Sequence, residues 1–92
     1  MPANPRIHIR KLARQRLYYI TLHADEEMDE DGITQYELEK VLMEGEIVSH
    51  QIDALTGERK YVLTGLNIGL PIEVVVKISH TDEIVVIAVY SL

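Results

Sequence analysis

Apolar residues along the chain follow two different periods, and the change falls near residue 46. Before it, Ile9, Leu12, Ala13 and Leu17 recur at helical spacing, with Arg10, Lys11 and Arg14 on the other side. Asn4-Pro5 precedes them. Asn is a good N-cap and Pro suits the first helical position, so a helix is predicted over residues 5–16. Tyr18-Tyr19-Ile20 reads as a short extended link. Thr21 can cap a second helix running to about Glu30. Its acids Asp25, Glu26 and Glu27 sit in the first turn, where the helix dipole favours them, and Gly32 ends it.

The third helix has the clearest local signature. Thr34 and Glu37 form a capping box, and Ile33 and Leu38 stand at the staple positions around it. Leu38, Val41 and Leu42 make the apolar stripe. Gly45 stands where a C′ glycine belongs, so the helix is set at residues 35–44.

After residue 46 the period is two and the residues become β-branched. Strands are predicted over residues 46–52, 60–66, 72–78 and 84–90, joined by short turns. Short links favour antiparallel neighbours, and the last two strands, nearly all apolar, should sit centrally. Helices followed by strands is an α+β order. The expectation is one domain over residues 1–92. Residues 1–45 form its helical part and residues 46–92 a four-stranded antiparallel meander, covered on one face by the helices.

Composition narrows the chemistry. The 92 residues contain no cysteine, so disulfides, thiolate metal sites and cysteine nucleophiles are excluded, as suits a reducing cytoplasm. The longest apolar run, residues 84–90, is far short of the ~20 residues of a membrane helix, so no membrane partner is expected. The net charge of −6 is uneven: residues 1–16 carry five cations and no acid, whereas residues 17–46 carry ten acids and only Lys40. A local anion-binding patch fits this pattern, and a general nucleic-acid coat does not. The basic stripe of the first helix is expected to face outward. It would pair with the acidic segment 25–46, within the chain or in a second copy.

Glu27, Asp29, Asp31 and Gly32 imitate the start of a calcium loop, but its twelfth position is Leu38, where a bidentate Glu is needed. The plainer reading is a solvated, acid-rich helix end, and no cofactor is expected. Of the four histidines, His8 and His80 read as surface residues and His50 as a half-exposed strand residue. His23, at a helix start, is the best acid–base candidate. Arg59, Lys60 and Tyr61, with Tyr90 on the last strand, could hold a phosphate. The alternative is a protected hairpin end and a Tyr that closes the core.

The ordered string Thr21-Leu22-His23-Ala24, Met28, Asp31-Gly32-Ile33-Thr34, Glu37-Leu38, Leu42 and Gly45-Glu46-Ile47 continues into Tyr61-Val62-Leu63-Thr64-Gly65. Pro71-Ile72-Glu73-Val74-Val75-Val76 follows, and Ile84-Val85-Val86-Ile87-Ala88-Val89-Tyr90 closes it. From about Ile9 onward this resembles the small prokaryotic domains grouped as domain of unknown function 4258. That resemblance implies a RelE-like or barnase-like two-layer fold. It also implies a metal-independent endoribonuclease of a toxin–antitoxin system, with RNA as substrate and an antitoxin as partner. His23 would be the acid–base group, Arg59 and Lys60 the phosphate clamp, and Tyr61 or Tyr90 a hydrogen-bonding partner. Family members often carry Arg just before the Met and before the Gly-Ile pair, where this chain has Glu27 and Asp31. The alternative is a non-catalytic protein-interaction module, with a homodimer as one form.

Overall fold

A computed structural model describes residues 4–92. The first helix, α1 (Pro5–Arg14), starts on Asn4, whose Oδ1 accepts the N–H groups of Arg6 at 2.9 Å and Ile7 at 3.4 Å. It ends two residues earlier than its apolar spacing suggests. Arg16 takes a left-handed φ of 59°, and Leu17 N–H donates back to Leu12 O at 2.9 Å, which closes a Schellman-type stop without glycine. Ile9, Leu12 and Ala13 are buried, but Leu17 lies outside the core.

The stop exists because the chain next enters a strand. Residues 18–20, expected as a link, form β1 (Tyr18–Ile20), which pairs in parallel with the last strand. Then come α2 (Leu22–Asp31), capped by Thr21 and ended by left-handed Gly32, and α3 (Gln35–Glu44), which carries the full Thr34/Glu37 capping box. The sheet is completed by β2 (Glu46–Ile52), β3 (Arg59–Thr64), a short 3-10 turn (Leu66–Ile68), β4 (Ile72–Ile78) and β5 (Ile84–Ser91). The strand order is β1-β5-β4-β3-β2.

The sheet is therefore five-stranded and mixed, which corrects the four-stranded antiparallel meander. The correction has a local cause: a three-residue strand carries too little period-two signal to stand out. The α+β class and the central place of β4 and β5 stand.

Gly45 also departs from expectation. Its φ of −70° and ψ of 170° are extended, not left-handed. Glycine is needed there for room, because a Cβ would lie 2.7 Å from both the Thr64 and Val41 carbonyl oxygens.

The core lies between the helices and one sheet face. Ile9, Leu12, Leu38, Val41 and Leu42 meet Leu63, Val74, Val76, Ile84, Val86 and Val89, all essentially inaccessible to solvent. Burial of each such side chain is worth roughly 1.5–3 kcal/mol against exposure. Among the described residues, no helix covers the other sheet face.

Candidate functional site

Side-chain alternation and pairing register sort the proposed residues into separate places. On β3, Tyr61 and Leu63 are buried with the core, so Arg59 shares the helix-side face and Lys60 points to the opposite one. Tyr90 pairs with Glu73, one residue out of phase with the core positions Ile72 and Val74, and so lies on the open face. Its hydroxyl donates to Glu73 Oε1 at 2.5 Å, and this bond, with some burial, raises the phenol pKa. Arg59 and Tyr61 are thus brought together on one face, while Lys60 and Tyr90 are on the other.

His23 stands apart from both groups. It lies one residue into α2, is mostly exposed, and has Nε2 3.4 Å from Glu27 Oε1, one helical turn on. The elements that carry it explain its position. Because β1 covers β5 only from Ile84 to Val86, the rest of that edge would present bare N–H groups. Helix α2 takes over there. Glu27 Oε1 accepts Val89 N–H at 3.0 Å, and Asp31 Oδ2 accepts Ser91 N–H at 2.9 Å. These two acids, at the places where the family resemblance implies arginine, serve as the missing edge partner.

Two cations of α1, Arg6 and Arg10, have backbone partners. Arg6 Nη1 donates to Gly45 O at 2.7 Å and Nη2 to Leu42 O, while Arg10 Nε donates to Met43 O at 2.8 Å. Both close the C-terminal end of α3, where carbonyls lack helical partners and the dipole is negative. Burial, with Arg10 nearby, pulls the Arg6 pKa down to about 10, so the guanidinium stays protonated at neutral pH. The outward-facing stripe is corrected for Arg10, which binds the Met43 carbonyl instead of an acid. The acidic segment is reached at Glu39, 3.7 Å from Arg16.

A concavity lies elsewhere, at the end of the sheet where α1 begins, the β2–β3 turn lies and β4 ends. It is a cleft of about 890 Å³ lined by His8, Arg59, Tyr61 and His80 among others. His8 Nε2 is 2.8 Å from Asp82 Oδ1. A carboxylate can only accept, so Nε2 carries the proton and a neutral ring keeps its lone pair on Nδ1. Asp82 sits in the turn after β4 with a left-handed φ of 62°, a conformation Asp tolerates. The Tyr61 ring stacks on His50 across the β2–β3 pair, with centroids 5.8 Å apart and planes 19° from parallel.

His8 and His80, read from sequence as surface residues, thus join Arg59 and Tyr61 from distant segments. Helical spacing held a weak hint, since His8 lies one turn before buried Leu12. Nothing local links His8 to His80. Among the described residues no cluster of three or more His, Asp or Glu side chains could hold a metal ion. No helix there is long and apolar enough to cross a membrane.

The family model for Domain of unknown function (DUF4258) matches residues 20–91. The chain belongs to this family. The match begins at the end of β1 and takes in α2, α3 and the four strands that follow, so α1 with His8 lies outside it. No curated protein and no solved structure matches the chain.

Proposed function

We propose that the domain is a small metal-independent endoribonuclease of toxin type, working in the His8–His80 cleft. The observation that carries the reading is that two histidines and a guanidinium, Arg59, line one concavity. The kinship with RelE-type and barnase-type ribonucleases that the family resemblance implies gives it a second support. Cleavage of RNA without metal needs one group to take the 2′-OH proton, one to protonate the leaving oxygen, and a cation on the phosphate.

His8, oriented by Asp82, takes the proton at Nδ1. The 2′ oxygen then attacks phosphorus, the bond from phosphorus to O5′ breaks, and the His80 imidazolium gives O5′ its proton. The products are a 2′,3′-cyclic phosphate and a free 5′-hydroxyl. Arg59 binds the non-bridging oxygens, and Tyr61 forms the cleft wall behind it. An antitoxin partner would block this cleft. His23, Lys60 and Tyr90 remain candidates for a separate role at the α2 end of the sheet and on its open face.

The test is cleavage of a fluorogenic RNA oligonucleotide in excess EDTA by the intact chain and by His8→Ala, His80→Ala, Arg59→Ala and His23→Ala. The reading expects cyclic-phosphate products and losses of roughly 10²-fold or more for the cleft variants, with His23→Ala near the intact rate. Activity lost only in His23→Ala moves the site to α2. No cleavage by the intact chain, with no growth defect on expression, removes the nuclease reading. The non-catalytic interaction module then stands. The edge-capping role of Glu27 and Asp31, where arginines are implied, favours that second reading.

A further inference from the structure

The sheet face turned away from the helices is ordered in three rungs. Strand pairing aligns Glu46, Thr64, Glu73 and Tyr90 in the first, Ser49, Val62, Val75 and Ala88 in the second, and Gln51, Lys60, Lys77 and Val85 in the third. The first rung carries carboxylates, the second is mainly apolar, and the third carries two cations. Strand β4 alone repeats the order as Glu73, Val75, Lys77. Val62, Val75 and Ala88 are half-buried by their neighbours on this face, but among the described residues no helix covers them.

A twofold axis lying in the face along the middle rung reverses strand direction and turns a second copy onto the first. The middle rung then meets itself, and each acidic rung meets a basic one. Glu73 of one copy stands over Lys77 of the other, while Thr64, buried and bonded to Ile72 O and Leu66 N–H, makes no contact of its own. Twofold interfaces require such self-complementarity, and stacked sheets about 10 Å apart bring facing side chains into contact. Glu73 holds Tyr90 on this face, and Lys77 is anchored at 2.8 Å to Glu58 of the β2–β3 turn, so each side chain has a partner within its own copy.

We infer that this face is a homodimer interface, a sheet-on-sheet pair of two copies related by that axis. It leaves the cleft on the other side of the sheet open, and it does not depend on the nuclease reading.

The test uses charge reversal, with far-UV circular dichroism to confirm folding and sedimentation velocity to read mass. The intact chain is expected to be dimeric at tens of micromolar. Lys77→Glu alone and Glu73→Lys alone are each expected to be monomeric, because each puts like charges against one another. Mixed together they are expected to form a heterodimer, and the double variant Glu73→Lys/Lys77→Glu is expected to recover the homodimer. An intact chain that stays monomeric at hundreds of micromolar overturns the proposal and leaves the face to another partner. A dimer that survives both single reversals overturns it too, since the contact then lies elsewhere.

Discussion

Glu27 on α2 accepts the backbone N–H of Val89 on β5 at 3.0 Å, so a helix side chain replaces the strand that β1 is too short to supply. The donor is partly buried, and leaving such a group unpaired costs about 1–3 kcal/mol. Glu27→Ala is expected to destabilise the fold by about 1–2 kcal/mol in urea denaturation. Glu27→Gln, which keeps an acceptor oxygen, should lose less than half of that. Glu27→Arg, which can only donate, should be at least as damaging as Ala. A stable Arg variant would mean that the helix makes no energetic contribution to closing the edge.

Arg6 is expected to matter more than its place near the N-terminus suggests. Its guanidinium reaches two carbonyls at the end of α3, and hydrogen bonds to charged groups contribute about 1.5–3 kcal/mol each where well formed. Arg6→Met should lower stability by about 1–3 kcal/mol. Arg6→Lys should recover only part of it, because an ammonium lacks the planar fork. Thermal or urea unfolding of the two variants checks this, and equal stability of Lys and Arg at this position would count against the fork.

The local devices were legible in the sequence because each is written within a few residues: the Asn4 cap, the Thr34/Glu37 box, the Gly32 stop and the period-two strands. What escaped depends on partners far along the chain. Tyr18-Tyr19-Ile20 becomes a strand only because Ile84, Val85 and Val86 lie beside it. Glu27 and Asp31 look like solvated acids until β5 presents its bare edge. Arg10 looks outward-facing until the end of α3 packs against it. In the candidate site, Arg59 and Tyr61 were readable as a strand-borne pair. His8 and His80 were not, since only the packing of α1 over the sheet end brings them together. Tyr90 was grouped with Arg59 by chemistry, and the alternation of its strand separates them.

Two glycines should respond to alanine for different reasons. At Gly45 a Cβ meets two backbone oxygens at 2.7 Å, and neither carbonyl can yield without disturbing α3 or β3. Gly45→Ala is expected to cost about 2–3 kcal/mol, within the range of overpacked sites. At Gly32 the space is open and only the left-handed φ of 67° is at stake, so Gly32→Ala should cost about 1 kcal/mol. The difference between their urea midpoints decides the matter. A tolerant Gly45 would show that the α3–β3 junction can shift.

The two carboxylate-bound phenols set the behaviour at high pH. Tyr18 is shifted upward chiefly by burial and also by its hydrogen bond to Glu39, with Gln35 donating to the same hydroxyl at 2.8 Å. Tyr90 is shifted upward chiefly by its bond to Glu73. In both, the neutral phenol donates to a carboxylate, and ionisation would set two negative oxygens against each other. The folded pKa values therefore lie above the ordinary value of about 10. The sign follows: the stabilisation is fully present below about pH 10 and is lost as pH rises through the raised values. Tyrosinate absorbance should therefore show a component that titrates later than a free tyrosine, with circular dichroism confirming that the fold persists. Tyr18→Phe/Tyr90→Phe should remove that component. The difference curve between the intact chain and the double variant should have its midpoint above 10. A midpoint at or below the free value would mean that neither hydroxyl is held by its carboxylate in solution.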